Sequence, residues 1–309
     1  MGRNDFFVMA VLAATVFPTA AAPSASQGRL IAASISPVHS LVAGVLGDRG
    51  PPVLLLSARE SEHATVLKPS TAGAISEAAL IFRVAHGFES ALDKPIASLA
   101  KAPVIELAKS PGLHLLGTRA LDEDHAPEMS GQPGDLYLWA DLHIWLDPTA
   151  AKAMTIEIAR RLSAIDPEGA AVYGANAERQ AARLDELDRE VAAEVAPVAA
   201  IPFVVFHDAY QYFVVRYGLK EVGRVEISPE RAPSGRHLAE LRAKIRASGA
   251  VCVFAEPQIE PRILPTLIEG LNVRTGVLDV LGVDLKPGPD LYGDMLMGLA
   301  RSLKACLKP

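Results

Sequence analysis

The stretch PEGAAVYGANAERQAARLDELDREVAAEVAP, residues 167–197, decides the fold. It has no strand signal, alternates acidic and basic side chains, places Ala and Leu along one helical face, and stops at Pro197. A helix over 166–196 would span about 40–45 Å at 1.5 Å per residue. Short apolar runs alternate with helical patterns on both sides of it, the signature of parallel sheets built from βαβ units. The expected architecture is therefore α/β: two lobes, each a mostly parallel sheet flanked by helices, joined by one long rigid connecting helix. The expected boundaries are 27–165 for the first lobe, 166–196 for the connector and 197–309 for the second lobe.

In the first half, LIAASI (30–35), PVLLL (52–56), LIFRVA (80–85) and PVIEL (103–107) read as strands. Segments 37–47 and 70–78 read as helices, the second capped by Ser70, and Asp147-Pro148 opens another with a capping residue and then Pro at the first helical position. In the second half, PFVVF (202–206), VCVFA (251–255) and TGVLDV (275–280) read as strands, with helices over 235–248 and 290–306. No internal sequence repeat is visible. Residues 120–134, ALDEDHAPEMSGQPG, carry Gly, Pro, Ser and acids without periodicity and are expected to form a mobile loop.

The first residues read as a secretory signal peptide over 1–26: Arg3, an apolar run from Phe6 to Phe17, then Ala20-Ala21-Ala22 as a cleavage site. A short membrane anchor is the alternative. No later stretch reaches the roughly eighteen apolar residues of a membrane span, which points to a soluble mature protein of about 280 residues. The formal charge of −6 comes without a basic stripe, so nucleic acid is not expected as a partner. Two cysteines, Cys252 and Cys306, form an even pair; in an exported chain this is most simply a disulfide, with two buried thiols as the alternative.

Within FVVFHDAYQYF, residues 203–213, His207 stands at the carboxyl end of an apolar strand, where open α/β sheets place ligands. Asp208 and Gln211 behind it have capping-box spacing. His63 (in SARESEHATVLKPS) and His143 (in DLHIWLDP) also fall in strand-to-helix connections, and Asp279 follows another apolar strand. Imidazoles and a carboxylate converging between two lobes would suit a borderline transition metal, with four ligands completing a tetrahedral zinc shell. His39, His86, His114 and His237 read as ordinary surface or hydrogen-bonded histidines.

These motifs together resemble one family. SEHATVLKPS resembles the S-x-H-x-x-x-x-x-P-S loop of metal-binding solute receptors, DLHIWLDP their D-P-H-I-W-L-D-P block, and FHDAYQYF their H-D-A-Y-x-Y-F segment; VCVFAEPQ and VLDVLGVDLKPGPDLY follow in the same order. The chain is similar, over nearly its whole mature length, to the periplasmic zinc-binding components of bacterial ABC uptake systems, the ZnuA-like group. The resemblance implies metal held between the lobes by His63, His143 and His207, with Asp279, Glu62 or water as fourth ligand. It implies Zn²⁺ as the transported ligand, a periplasmic location, a Cys252–Cys306 bridge and no enzymatic activity. The implied partners are the permease and ATPase of an inner-membrane importer, served by a monomeric receptor.

Histidine at the third position, where manganese-type relatives carry Glu, argues for zinc. Ala64-Thr65-Val66 replace the Asp-Tyr-Ser common in relatives, which bears on support for His63. The acidic loop holds only His125, beside Asp122, Glu123, Asp124 and Glu128, where many zinc-type relatives have a His-rich tract, so a solvated loop is expected there. The alternatives are a manganese or iron receptor, a surface adhesin on the same scaffold, or a zinc hydrolase with Glu62 as base.

Overall fold

The computed structural model of the chain describes residues 1–2, 29–59, 63, 67–119, 136, 139–226, 233–259 and 263–308. Residues 3–26 of the expected signal peptide, Glu62, Ala64-Thr65-Val66 and the expected acidic loop around His125 lie outside the described residues. No described helix is long and apolar enough to cross a membrane.

Strands β1 (Ile31–Ala33), β2 (Val53–Leu54), β3 (Leu80–Arg83) and β4 (Val104–Glu106) form a sheet in the order β2-β1-β3-β4. Strands β5 (Phe203–Val205), β6 (Glu221–Arg224), β7 (Cys252–Ala255) and β8 (Arg274–Val277) form a second in the order β6-β5-β7-β8. Every pairing is parallel. The inner strands β1, β3, β5 and β7 are buried along their whole length, as helices on both faces require. Winding reverses between β1 and β3 and again between β5 and β7. Each reversal opens a crevice at the carboxyl ends of the strands.

Helices α1 (Ser36–Leu46), α2 (Pro69–Glu77), α3 (Ser90–Leu99) and α4 (Pro148–Ile165) belong to the first half. Helix α5 (Ala170–Val195) follows, and α6 (Gln211–Tyr217), α7 (Gly235–Ser248), α8 (Leu264–Ile268) and α9 (Leu291–Leu307) belong to the second half. The long central helix is thus present, with a difference at its ends: single turns of 3₁₀ helix over Pro167–Gly169 and Ala196–Val198 flank the α-helix proper. Its buried face, Tyr173, Asn176, Ala177, Leu184, Leu187, Val191 and Val195, keeps helical spacing. That face packs on α1 and α4 and on α9. Asn176 Nδ2 donates to the Val45 carbonyl at 2.8 Å, and Glu194 pairs with Lys304 of α9 at 3.0 Å.

One apolar core runs through both halves, with a smaller cluster under α7 and α8. Polar groups tie the halves where they meet. The fully buried Trp145 donates its indole N–H to the Val280 carbonyl at 2.9 Å, and the Tyr292 hydroxyl donates to the Trp145 carbonyl at 2.7 Å.

Asp147 caps α4 as expected, accepting from Thr149 N at 2.8 Å. Two other expected caps fail. Helix α2 already begins at Pro69, so Ser70 lies inside the first turn and Lys68 precedes it without a side-chain bond. Helix α6 begins only at Gln211, and Asp208 turns instead toward Arg119 and Arg224. Strand β6 is unanticipated because EVGR has a single β-branched residue; it is a half-buried edge strand whose Gly223 leaves room for Leu241. Helix α3 is masked in the sequence by Pro95, a helix breaker that it nevertheless contains.

Cys252 on β7 and Cys306 on α9 form the disulfide, with 6.2 Å between their Cα atoms and a sequence separation of 54. It pins the last helix to an inner strand. Both sulfurs should resist alkylation in the folded protein until it is reduced. Replacing both cysteines with Ser should cost about 4 kcal/mol in the chain-entropy account, and ready labelling without reductant would contradict the bridge.

His39 is buried in α1, its Nε2–H donating to the Pro52 carbonyl at 3.0 Å. Burial pushes its pKa below the usual imidazole value, against the opposing pull of that carbonyl. The unfolded chain therefore binds the proton more readily, so the neutral ring's contribution is complete above about pH 6.5 and is lost as pH falls below it. A His39→Gln variant should show a flatter loss of stability between about pH 6.5 and 5 than the wild type in denaturant titrations.

Candidate metal centre

Three of the sequence-predicted residues come together. His63 follows β2, His143 precedes a 3₁₀ turn over Ile144–Leu146 ahead of α4, and His207 follows β5 at the crevice beside β7. Among the described residues they form the group with metal-ligand geometry, one ring nitrogen from each lying within 4.8 Å of the others. Ring centroids are 5.0 Å apart for His143 and His207, 5.5 Å for His63 and His207, and 5.8 Å for His63 and His143. His143 and His207 are buried, whereas His63 is half-buried.

Carboxylates that the sequence analysis did not single out fix two of the rings. His143 Nδ1–H donates to Asp141 Oδ1 at 2.8 Å, and the same oxygen accepts the His143 backbone N–H at 3.0 Å. His207 Nδ1–H faces both oxygens of Glu256 at 3.2 Å. Since a carboxylate can only accept, each neutral ring keeps its proton on Nδ1 and presents a lone pair at Nε2. Signals existed for both: Asp141 sits two residues before its histidine, and Glu256 directly follows β7, the strand next to β5. Phe88 and Trp145 back the cluster, with Phe88 5.1 Å from both His63 and His143 and Trp145 5.3 Å from His143. Neutral imidazole nitrogens against an apolar wall suit a borderline divalent ion.

Asp279 lies outside that group. Its Oδ1 accepts from Leu281 N at 3.2 Å, Gly282 N at 2.9 Å and Gln258 Nε2 at 2.9 Å, and its Oδ2 accepts from Val283 N at 2.6 Å. The carboxylate closes the turn after β8. Gln258 reaches on to the Ala58 carbonyl at 3.4 Å, on the segment leading to His63.

A second charged group lies beside the cluster. Arg119 pairs with Asp208 and, at 3.3 Å, with Glu221; Arg224 approaches Asp208 at 3.5 Å and Glu221 at 3.8 Å. Burial pushes the Glu221 carboxyl up against the opposing pull of Arg119. For Arg119 burial acts downward, but Glu221 and Asp208 outweigh it and raise the guanidinium's pKa.

Two parallel-sheet lobes spanned by a long helix, with ligand-type side chains meeting at the cleft, define the class of solute-binding receptors. The family model described as "Zinc-uptake complex component A periplasmic" matches residues 31–306, and the chain belongs to that family. It is 42% identical over 304 residues to the high-affinity zinc uptake system protein ZnuA of Brucella abortus (strain 2308), covering 90% of this chain and 91% of the relative. It is 32% identical over 317 residues to the protein of the same name from Paracoccus denitrificans, covering 96% and 97%. A crystal structure of a zinc-bound ZnuA deletion mutant shares the fold, with a TM-score of 0.74 and 24% identity over 91% of this chain and 99% of that one.

The carboxylate contacts make a spectroscopic prediction for metal-free protein. Long-range ¹H–¹⁵N correlations at about pH 8, where an ordinary imidazole is neutral, should show unprotonated Nε2 in His143 and His207. Glu256→Ala should mix the tautomers of His207 and leave those of His143 unchanged. Protonated Nε2 in the wild type would refute the assignment.

Proposed function

We propose that the chain is a periplasmic high-affinity zinc receptor that hands Zn²⁺ to an ABC-type importer. Zinc is its cargo. The observation that carries this reading is the cluster of His63, His143 and His207, with two of the rings engaged at Nδ1 by carboxylates. Imidazole in all three positions favours zinc over the manganese or iron of carboxylate-richer sites. Membership of a transport family favours binding and release over hydrolysis. The permease and ATPase of an inner-membrane importer are the proposed partners, and the receptor is proposed to act as a monomer after removal of residues 1–26.

The three histidines are the proposed ligands. In a tetrahedral shell with Zn–N bonds of about 2.0–2.1 Å, neighbouring nitrogens stand roughly 3.3–3.4 Å apart. The ring nitrogens lie within 4.8 Å of one another, a spacing compatible with one shared ion. Asp279, Glu62 and water compete for the fourth position. The bonds that Asp279 already accepts from the turn after β8 and from Gln258 count against it and favour Glu62 or water.

Calorimetric titration and thermal melts of the wild type and two His207 variants test the reading together. The wild type should take up one tightly held zinc per chain. Zinc at a hundred times its dissociation constant should stabilise it by about 2.7 kcal/mol. His207→Ala should lose more affinity than the roughly 10–100-fold typical of residues that only support a ligand, while remaining folded. His207→Glu should shift relative preference toward Mn²⁺. A wild-type melting temperature indifferent to excess zinc would overturn the receptor reading.

A further inference from the structure

We propose that Arg119 is a positioning residue for the histidine cluster: reaching across from the first lobe, its guanidinium fixes the backbone on which His207 stands. The inference rests on the zinc-receptor reading.

Arg119 ends a short segment that pairs with the chain leading to His143. Thr118 N donates to the Trp139 carbonyl at 3.0 Å, Asp141 N donates to the Leu116 carbonyl at 2.9 Å, and Gly117 bridges Ala140 between them. The same pairing thus orders Asp141, which holds the His143 ring. On the far side, Arg119 binds the carboxylate of Asp208, the residue after His207, and reaches Glu221 on β6. The backbone there is tightly turned, with Ala209 N donating to the His207 carbonyl at 2.9 Å. Where Asp208 is anchored therefore sets where the His207 backbone lies. The chain of contacts from His143 through Asp141, the paired segments, Arg119 and Asp208 to His207 joins rings whose centroids are 5.0 Å apart.

Charge makes the link hard to replace. Among the described residues, Arg119 and Arg224 both face Asp208 and Glu221, and the acids' side chains are only 9% and 4% exposed. Without Arg119 the two buried carboxylates lose the guanidinium that reaches them from the first lobe, which drives them apart or toward water. Other bonds keep the lobes together: the Tyr212 hydroxyl donates to the Asp141 carbonyl at 2.8 Å and accepts from Leu116 N at 2.9 Å. Loss of Arg119 should therefore displace His207 while leaving the lobes joined.

The test compares mature wild type with Arg119→Met, Arg119→Lys and Arg49→Met. Zinc affinity is measured by chelator competition, and Co²⁺ d–d absorption serves as a probe of donor geometry. Arg119→Met should bind one zinc per chain roughly 10–100-fold more weakly, the range for residues that orient ligands, with shifted cobalt bands. Arg119→Lys should recover part of the loss. Arg49→Met removes the 2.6 Å ion pair to Asp166 at the other end of α4 and should leave affinity and spectrum unchanged. If Arg119→Met does not fold, Arg119→Met/Glu221→Gln restores charge balance without the cross-lobe link and should show the same weak binding. Wild-type affinity and cobalt spectrum in Arg119→Met, or in Arg119→Met/Glu221→Gln where the single variant does not fold, would overturn the positioning role. Failure of the wild type itself to bind zinc would overturn the receptor reading and this inference with it.

Discussion

The hydrogen bond from His143 Nδ1 to Asp141, and its counterpart from His207 Nδ1 to Glu256, decide what the cleft between the lobes can do. All four residues are buried. In such surroundings an imidazole beside a carboxylate has one low-energy arrangement: proton on Nδ1, lone pair on Nε2. Each neutral pair keeps one formal negative charge. Two pairs at one cleft make a place where a divalent cation is electrostatically welcome, while the nitrogens that would touch it remain the softer, zinc-preferring donors.

The rest of the molecule can be understood as the frame that brings those pairs together. Both sheets have the same winding, so each offers a crevice at the carboxyl ends of its inner strands. His207 and Glu256 come from the neighbouring strands β5 and β7 of one sheet, while His63 follows an outer strand of the other. The lobes are held face to face by a common apolar core, by the bonds of Trp145 and Tyr292, and by α5 lying against helices of both halves. Packing of this kind leaves little freedom for the relative placement of the lobes. Polar links such as the Arg119 group add directional contacts between the lobes.

The contrast between the histidines is physical as well. His143 and His207 are buried and each is braced by a carboxylate, whereas His63 is half-buried against Phe88. The segment leading to His63 meets the second lobe through Gln258 at the Ala58 carbonyl and through the exposed Arg59–Asp284 pair at 2.9 Å. Exposed ion pairs contribute little in water.

Local patterns carried much of this in the sequence. The apolar runs marked the inner strands, Asp147-Pro148 marked the start of α4, the charged stretch after Pro167 marked the central helix, and the resemblance motifs placed His63, His143 and His207. Each of these depends on neighbours along the chain or on a recognisable word. What the sequence could not specify depended on distant partners. Asp208 had the spacing of a helix cap, but Arg119 and Arg224 compete for its carboxylate and win, because paired buried charge outweighs one backbone N–H. Backbone N–H groups and Gln258 surround the oxygens of Asp279, contacts that no local pattern announces. Strand β6 pairs because β5 lies beside it, despite weak intrinsic preference. Glu256 braces His207 only because β7 adds next to β5, across 49 residues of chain. Local motifs and the family resemblance named the side chains that could meet a metal, and Asp141 orients the His143 ring from two residues away; the sheet order decided the orientation of His207, since its ring is held by a carboxylate on a neighbouring strand's end, 49 residues along the chain.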